Sequence, residues 1–370
     1  VVKVVEINKA YKFRIYPNEK QIEIIEKTFG CSRFVYNHFL NQRNEVYSNE
    51  KRCMRYTEQQ NQLPSMKKEF VWLKEIDSTS LQMALRNLDT AFKNFFQGRV
   101  DKPKFKSKRD NYKSYTSNFV NSNIEVKKNK IKLPKLNWVK AKVHRYVEGR
   151  IINATVSITP SGKYFVSICV ETEVNPLEKV DSIIGLDLGL THFAIFSTGK
   201  KVDNPKYLKK SLERLAKEQK KLSRKQYDSN NYHKQRIKIA KLHEYITNQR
   251  NNFIHQLSKR IINENQVIIL EDLSVKDMLK DKDLARSISD VSWSKFITML
   301  EYKSKWYDRV LHKIDRYFPS SKICNNCGYV IEELPLYIRK WDCPSCNTVG
   351  IDRDINSAKN ILQQGLLKLA

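Results

Sequence analysis

Four of the seven cysteines form two Cys-x-x-Cys pairs, Cys324 with Cys327 and Cys343 with Cys346, and fifteen residues separate the pairs. Zn²⁺ is held tetrahedrally by thiolates, and each pair can present two sulfurs to one ion at about 2.3 Å. Because cysteine fills all four ligand positions, no position is left for a substrate water, and the spacing predicts a structural zinc site. The remaining cysteines are predicted to be buried small hydrophobes: Cys31, Cys53 and Cys169.

A second group of residues suited to chemistry consists of acids in apolar surroundings. Asp187 interrupts an apolar run, Glu271 ends another, and Asp354 lies at the start of a helical pattern. A buried carboxylate is unfavourable unless it is paired or binds a metal, so these acids are candidate cation ligands. Three such carboxylates can hold two Mg²⁺ ions, which activate water and stabilise the leaving oxygen of a phosphodiester. The neighbouring Asp352 is interpreted as a helix cap.

The elements that must position these acids follow from the apolar pattern of the second half of the chain. Short apolar runs predict strands at residues 183–189, 193–196, 267–270 and 310–315. Two long helices with a polar break at residues 228–231, and a closing helix at 354–369, are predicted from helical spacing. The predicted order is a strand with a central Asp, an adjacent strand, a long intervening segment, a strand that ends in Glu and a final helix with an Asp. RNase H-like folds have their elements in this order.

The first half of the chain has a different pattern. Alternating apolar and polar residues up to Pro17 predict an opening strand, and helical spacing over residues 18–96 predicts a helical bundle. After residue 99, short alternating segments joined by tight turns predict a small barrel or sandwich. The bundle would then be an insertion into a barrel that the first strand completes.

The charge of the chain points to a polyanionic partner. The 370 residues include 68 Lys and Arg against 40 Asp and Glu, a net charge of +28. Residues 99–145 carry fifteen of these cations against three acids, and residues 206–225 carry nine against two. Aromatic residues are interleaved with the first run: Phe105, Tyr112, Tyr115, Phe119 and Trp138. Cations that neutralise phosphates and rings that stack on unpaired bases predict a nucleic-acid surface; a solvated lysine-rich surface is the alternative.

No apolar run approaches the roughly 18 residues of a membrane span, and no segment is typical of a signal peptide. We therefore expect a cytoplasmic protein without a membrane partner.

Motifs along nearly the whole chain resemble those of the TnpB family, which bacterial insertion sequences encode and which is related to type V CRISPR effectors. In the second half they are GLDLGL (185–190), NQR (248–250), FIH (253–255), LEDL (270–273), ARSISD (285–290), FPSS (318–321), the four paired cysteines and DRDIN (352–356). In the first half they are YKFRIYP (11–17), RFVYNH (33–38), LDTAFKNFF (88–96) and LPKL (133–136).

The resemblance implies an RNA-guided DNA endonuclease of a bacterial or archaeal transposable element. Its expected partners are a guide RNA from the transposon end and a double-stranded target DNA that carries a short flanking motif, and a transposase encoded by the same element is expected to act separately. The family pattern assigns the Mg²⁺-dependent nuclease site, with two ions, to Asp187, Glu271 and Asp354. It assigns the cysteines to a zinc ribbon inserted before the last helix. It assigns motif reading to Tyr56, Gln82 and Asn121.

The expected fold class is therefore α+β and multidomain. A small wedge-like β-barrel with an inserted helical bundle precedes an RNase H-like (RuvC) α/β nuclease domain with an inserted zinc ribbon. The predicted limits are 1–17 and 99–178 for the barrel, 18–98 for the bundle, 179–320 and 350–370 for the nuclease domain, and 321–349 for the ribbon.

Two other functions remain as hypotheses: a transposase or recombination accessory protein, and a guided DNA-binding repressor that does not cut. The transposase class with His-x-His metal ligands is excluded because no two of the seven histidines are two residues apart. RNase H-like transposases usually carry Glu as the last acid, whereas Glu271 is the middle one here. A repressor is expected to have lost part of the triad, which this chain keeps. One departure from the family pattern is Ile351, where a His is common.

Overall fold

The computed structural model describes residues 4–281, 284–335 and 337–369. Helices and strands both contribute, which confirms the expected mixed α/β content. The chain divides into two compact units, an N-terminal unit (Glu6–Glu173) and a C-terminal unit formed mainly by the residues from Val174 onward. The finer domain limits given above stay predictions. None of the described helices combines the length and apolar character that crossing a membrane requires.

The N-terminal unit combines a sheet with a group of helices. Its strands are β1 (Val5–Tyr16), β2 (Lys113–Asn118), β3 (Glu125–Lys127), β4 (Lys130–Leu133), β5 (Asn137–Lys142), β6 (Arg150–Ile158) and β7 (Tyr164–Val174). Its helices are α1 (Glu19–Glu50), α2 (Tyr56–Gln60), α3 (Leu63–Glu69) and α4 (Ser78–Phe96), with a 3₁₀ turn at Val71–Lys74. The sheet order is β2-β6-β7-β1-β5-β4-β3, so the first strand lies in its middle.

Local sequence explains how this unit begins. Alternation along β1 buries Phe13 and Ile15, and the strand pairs antiparallel with β5. A reciprocal cap then starts α1: the Asn18 side chain accepts from the Gln21 N–H at 2.9 Å, and the Gln21 side chain accepts from the Asn18 N–H at 3.1 Å. The helical spacing of Leu81, Leu85 and Leu88 places these side chains in a common core with α1.

Two expectations for this unit are wrong. Tyr115 is only 6% exposed, because alternation along β2 directs its ring into the core, where it meets Phe29 edge-on at 5.6 Å. It therefore has no face free for stacking on bases, unlike the exposed Phe105 and Tyr112. Cys53 is exposed because it lies in the irregular segment between α1 and α2, and Cys169 of β7 is only partly buried, whereas Cys31 is buried as expected.

The C-terminal unit is built around a second sheet. Its strands are β8 (Ile183–Asp187), β9 (His192–Phe196), β10 (Lys201–Asp203), β11 (Val267–Glu271), β12 (Val310–Ile314), β13 (Lys340–Trp341) and β14 (Ile351–Asp352). Its helices are α5 (Tyr207–Ser223), α6 (Asn230–Glu264), α7 (Val275–Met278), α8 (Ala285–Val291), α9 (Trp293–Tyr307) and α10 (Arg353–Leu369). The main sheet has the order β10-β9-β8-β11-β12, in which β8, β11 and β12 are parallel and β9 is antiparallel to both of its neighbours, β8 and β10.

Helices cover both faces of this sheet. Alternate residues of β8 and β11 pack with α6 and α9 in the larger core, and Ile269 of β11 packs with Ile361 of α10 on the other face. A Cβ on Gly185 of β8 would lie 2.3 Å from the Ala358 carbonyl oxygen, and a Cβ on Gly365 of α10 would lie 2.3 Å from the Ile269 side chain. The two glycines therefore let α10 approach the sheet closely, which fixes the position of the N-terminal turn of this helix.

Candidate active site

Two of the predicted acids meet at the carboxyl ends of neighbouring strands. β8 and β11 are parallel and in register through Leu186 opposite Leu270. The next position on each strand is Asp187 and Glu271, so the two acids leave the sheet side by side. Both are partly buried. The carboxyl ends of parallel strands are a common place for ligand sites in open α/β sheets.

The third acid, Asp354, lies in the first turn of α10 and is 20% exposed. Asp352 caps this helix as predicted, because one of its carboxylate oxygens accepts from the N–H groups of Asp354 and Ile355, each at 3.1 Å. Its other oxygen pairs with Lys201 of β10 at 2.6 Å. The cap and the ion pair therefore fix the turn that carries Asp354.

The pKa of Asp187 reflects its burial and the charges of the other two acids. Burial raises the pKa of Asp187 to about 8, and the negative charges of Glu271 and Asp354 add to this effect. Burial also raises the pKa of Glu271, although the hydrogen bond that Ser320 donates to its carboxylate opposes the shift. The structure therefore brings the three predicted acids to one end of the sheet, where the charges of Glu271 and Asp354 act on Asp187.

This centre fits hard divalent cations. It offers carboxylate oxygens, which Mg²⁺ prefers, and bound cations would relieve the repulsion that raises the pKa of Asp187. In the described part of the chain, only the cysteine group brings three or more ligand atoms within 4.8 Å of one another. The oxygens of the three carboxylates thus lie farther apart than the ligand atoms of a single bound ion would.

Sequence reasoning missed a cation at this centre. Arg339, from the segment between the cysteine pairs, has its Nη1 3.6 Å from Asp354 Oδ1 and is 58% exposed. Backbone pairing positions it: β13 pairs with β14, and the Arg353 N–H donates to the Arg339 carbonyl at 3.0 Å. No spacing signal marks this arginine in a chain with 68 Lys and Arg. The pairing of β13 with β14 in the structure is what identifies Arg339 as a neighbour of Asp354.

The four paired cysteines form the cluster that their spacing predicts. Their sulfurs lie within 4.8 Å of one another, with Cys324 Sγ and Cys346 Sγ 3.7 Å apart and Cys327 Sγ and Cys343 Sγ 3.6 Å apart. A tetrahedron with Zn–S bonds of about 2.3 Å has S···S edges of about 3.8 Å. These separations fit one tetrahedral ion and are far longer than the roughly 2.05 Å of a disulfide bond.

Polar neighbours support the cysteine cluster. The Thr348 hydroxyl lies 3.0 Å from Cys346 Sγ, and Asn326 Nδ2 donates to the same sulfur at 3.6 Å. The hydrogen bonds from Thr348 and then Asn326 lower the pKa of Cys346 to about 5. A thiolate at neutral pH is the form that binds a metal ion.

The three residues assigned to motif reading lie on α2, on α4 and in the turn after β2 of the N-terminal unit. Tyr56 of α2 accepts a hydrogen bond from Arg86 Nε at 3.4 Å, and Gln82 lies one turn before Arg86 on α4. Thr79, a further turn back, accepts from the Asn118 N–H at the end of β2 at 3.0 Å. Asn121 is exposed in the turn that follows β2, with a φ of 48°. Tyr56 and Gln82 are thus on neighbouring helices, whereas the conformation of Asn121 is also that of an ordinary turn residue.

Cations and rings are combined on the sheet of the N-terminal unit. Lys127 and Lys130 place their ammonium groups 4.6 and 5.2 Å from the centre of the Trp138 ring. Beside them is a cleft of about 540 Å³, lined in part by Lys128, Arg145 and Tyr146. Tyr146 is 86% exposed. An exposed ring between cations is suited to a phosphate backbone with an unstacked base.

Three family models match parts of the chain. The model OrfB_IS605, described as "Probable transposase", matches residues 167–282, and one described as "Cas12f1-like, TNB domain" matches residues 293–361. A model described as "Helix-turn-helix domain" matches residues 7–52. In this structure that segment contains β1 and the 32-residue helix α1, so its described local structure is a strand and one continuous helix.

Relatives match over the full length. A protein of Streptomyces pristinaespiralis named "Putative RNA-guided DNA endonuclease" is 40% identical, and the match covers 98% of this chain and 90% of the relative. InsQ of Escherichia coli K12, which is also named a putative RNA-guided DNA endonuclease, is 32% identical. That match covers 98% of this chain and 93% of InsQ. A chain in the cryo-EM structure of a Cas12f1-sgRNA-target DNA complex has a similar fold, with a TM-score of 0.60. The match covers 96% of this chain and 98% of the Cas12f1-complex chain. Its 14% identity makes this a likeness of fold alone.

The carboxylate centre, the cysteine cluster and these full-length relatives lead to one conclusion: the chain belongs to the TnpB (OrfB_IS605) family.

Proposed function

We propose that the protein is an RNA-guided DNA endonuclease of a transposable element, which cuts double-stranded target DNA beside a short flanking motif. The observation that carries the proposal is the meeting of Asp187 and Glu271 at the ends of paired parallel strands, with Asp354 near enough to raise the pKa of Asp187. The names of the Streptomyces and Escherichia relatives support the same activity.

The C-terminal unit is proposed to be an RNase H-like (RuvC) nuclease domain. Support comes from the order of its parts: β8 with the first acid, β9, the long pair α5 and α6, β11 ending in the second acid, and α10 with the third. The cysteine-bearing segment enters between β12 and α10, as an inserted ribbon would. In the N-terminal unit, the proposal is a wedge-like β-barrel made from the sheet, with α1 to α4 as the inserted helical bundle.

Mg²⁺ is the cation we assign to the acidic centre, held by Asp187, Glu271 and Asp354. Two bound Mg²⁺ ions supply an activated water and charge stabilisation at the leaving oxygen. The chain fixes the three acids on β8, β11 and α10, three packed elements whose relative positions are set by the core. Partial burial of the acids limits access of bulk water to them.

Arg339 is proposed to act on the scissile phosphate. Its guanidinium already lies beside Asp354, and an arginine fork suits two phosphate oxygens better than a point charge does. If Asp354 held a cation, its carboxylate would no longer depend on Arg339 for a partner, and the guanidinium would be free to bind the phosphate. The exposure of Arg339 allows it to make this exchange.

The cysteine cluster is assigned to one structural Zn²⁺. All four ligands are thiolates, so the ion has no open position for substrate. Its proposed role is to stabilise the folded ribbon segment, because the local apolar core there is small and includes few residues besides Leu334 and Trp341.

A guide RNA and target DNA are the proposed nucleic-acid partners. The positive charge, the Trp138 and Tyr146 surface and the second cation run on α5 support contacts to sugar-phosphate backbones, while base pairing with the guide would supply sequence recognition. The likeness in fold to a Cas12f1 chain agrees with this partner class. Tyr56, Gln82 and Asn121 are proposed to read the flanking motif, since amide side chains suit base edges.

The test begins with the RNA that copurifies with the protein. Sequencing this RNA gives the guide, and a plasmid library with the matching target and randomised flanks then reports cleavage. We expect Asp187→Ala and Glu271→Ala to abolish cutting in Mg²⁺ and to leave guide-RNA binding within severalfold of the parent. Asp203→Ala, which removes a 94% exposed acid from β10, is the matched control and should cut normally.

Two results would contradict the proposal. Cutting by either triad variant would show that the nuclease site lies elsewhere. Full activity on DNA after removal of the RNA would favour the direct transposase hypothesis, which the description "Probable transposase" of one matching family model represents.

A further inference from the structure

A buried hydroxyl relay ends on one of the three acids. Ser320 Oγ donates a hydrogen bond to Glu271 Oε1, and Ser357 Oγ donates to Ser320 Oγ at 2.9 Å. The two serines are 6% and 3% exposed. Both hydroxyls donate in the same direction, toward the carboxylate, so each strengthens the next. Ser357 belongs to α10, one turn after Asp354, and the relay therefore joins the elements that carry two of the acids.

The backbone of Ser320 is held as firmly as its side chain. Asn360 Nδ2 donates to the carbonyls of Ser320 at 2.8 Å and Ile323 at 2.6 Å. Asn356 Nδ2 also donates to the Ile323 carbonyl, at 2.6 Å. These two asparagines of α10 are 4% and 2% exposed, for Asn356 and Asn360 respectively. Buried amides that satisfy buried carbonyls make a rigid clamp, because breaking it leaves unpaired polar groups.

The same clamp reaches the cysteine cluster. The Asn325 N–H donates to Asn356 Oδ1 at 2.9 Å, and Asn325 Nδ2 donates to Asn360 Oδ1 at 3.1 Å. Asn325 lies between Cys324 and Cys327, two of the four clustered cysteines. A continuous set of hydrogen bonds thus runs from the cysteine pair through α10 and Ser320 to Glu271.

We propose that Ser320 is a positioning residue of the nuclease site, which orients the Glu271 carboxylate for its cation and links that orientation to the folded ribbon. The proposal rests on the proposed function, because it takes Glu271 as a cation ligand. Because Oε1 accepts from Ser320, one of its lone pairs is engaged and rotation of the Glu271 carboxylate is restricted. Groups that orient metal ligands in this way typically affect metal affinity by about 10- to 100-fold.

The experiment measures cation binding rather than cleavage. Mn²⁺ is titrated by electron paramagnetic resonance into the protein with its copurified RNA and no target DNA, and the binding that Asp187→Ala removes is taken as the site's own. We expect Ser320→Ala to weaken this binding by about tenfold. Ser320→Cys, which is nearly the same size but a weak donor, should weaken it similarly, and Ser320→Thr, which keeps the hydroxyl, should stay within about threefold.

Controls separate orientation from folding. Ser321→Ala removes the adjacent hydroxyl and should bind Mn²⁺ as the parent does. Zinc content and guide-RNA binding should be unchanged in every Ser320 variant, and the Mg²⁺ concentration for half-maximal cleavage should rise in the same order as the Mn²⁺ dissociation constants.

Two outcomes overturn the inference, and they are distinguishable. If Ser320→Ala and Ser320→Cys bind Mn²⁺ as tightly as the parent, the relay has no positioning role although the nuclease assignment stands. If the parent shows no Mn²⁺ binding that depends on Asp187, the nuclease assignment itself fails and the inference falls with it.

Discussion

At the scale of single residues, the acidic centre places the Asp187 carboxylate where its charged form is unfavourable. Asp187 is held among neighbouring carboxylates at the end of a strand where a folding argument would favour an apolar residue, and its pKa of about 8 reflects the free-energy cost of its charge. Such arrangements are expected where function, rather than stability, selects the residue.

The first prediction follows from that cost. Asp187→Asn keeps the shape of the side chain and is neutral at every pH, so folding no longer has to protonate a carboxylate there or hold its charge beside Glu271 and Asp354. Without added Mg²⁺ we expect the variant to gain about 1 kcal/mol, or about 2–4 °C in melting temperature, while losing cleavage. Asp203→Asn, at a 94% exposed acid, should leave the melting temperature unchanged. A lower melting temperature for Asp187→Asn would contradict the argument.

The second prediction concerns Arg339. If its guanidinium binds the scissile phosphate, Arg339→Ala should reduce the cleavage rate at saturating DNA by about 10²-fold, with guide-RNA binding unchanged. Arg339→Lys should recover part of the rate, because it restores charge but not the fork. Lys340→Ala is the control at the next exposed cation. Single-turnover kinetics measure these effects, and a rate for Arg339→Ala within twofold of the parent would remove Arg339 from the mechanism.

Residues with a local signal were predictable and residues with a nonlocal role were not. The cysteines are recognisable from spacing and Asp187 from its apolar neighbours. Ser320 lies in the FPSS segment (318–321), but that segment did not indicate its role, and Arg339 has no local signal. The partners of these two residues are 49 and 15 residues away in sequence and depend on how α10 and β13 pack.

At the scale of elements, apolar periodicity predicted the strands and helices that build the cores. The expected strand at residues 267–270 is β11, and the expected closing helix is α10. β2 and β5 were not predicted because they lie within the cation run, where Lys, Ser and Asn on the outer positions mask the alternation. Their inward residues Tyr115, Val139 and Ala141 are nevertheless buried.

The third prediction tests the close approach of α10 to the sheet. A Cβ at position 185 would lie 2.3 Å from the Ala358 carbonyl oxygen and 2.8 Å from Leu362 Cβ. Backbone atoms of α10 cannot move aside cheaply, so Gly185→Ala should destabilise the C-terminal unit by about 1–3 kcal/mol. Hydrogen exchange should rise in β8 and α10, and cleavage should fall because Asp187 and Asp354 are carried by these elements.

A matched substitution should have the opposite effect. Gly30 lies within α1, and a Cβ there would meet no atom within 4 Å. Gly30→Ala should therefore stabilise the N-terminal unit by about 0.5–1 kcal/mol, since alanine loses less backbone entropy in a helix. Equal effects of the two substitutions on unfolding would show that packing of α10 on β8 is not the cause.

At the scale of the whole molecule, the net charge of +28 is divided between distinct surfaces. The cations of residues 99–145 surround rings on the N-terminal sheet, and those of residues 206–225 follow α5. The three acids form a local negative centre within the other unit. If these surfaces hold RNA and DNA backbones as proposed, the affinity for nucleic acid should depend strongly on salt.

The fourth prediction separates charge from stacking on the N-terminal sheet. Lys127 and Lys130 flank Trp138, and replacing both lysines by Gln removes two cations without changing the strands β3 and β4. If each contacts a phosphate, the slope of log affinity for the guide RNA against log salt should become shallower by about 1.4, at about 0.7 per single-strand contact. Tyr146→Ala removes an 86% exposed ring and no charge, so it should weaken binding by about 1–3 kcal/mol and leave the slope unchanged. Affinities measured across a salt series distinguish the two effects, since loss of charge changes the slope and loss of stacking does not. If this surface is solvated and touches no nucleic acid, both the slope and the affinity will be as in the parent.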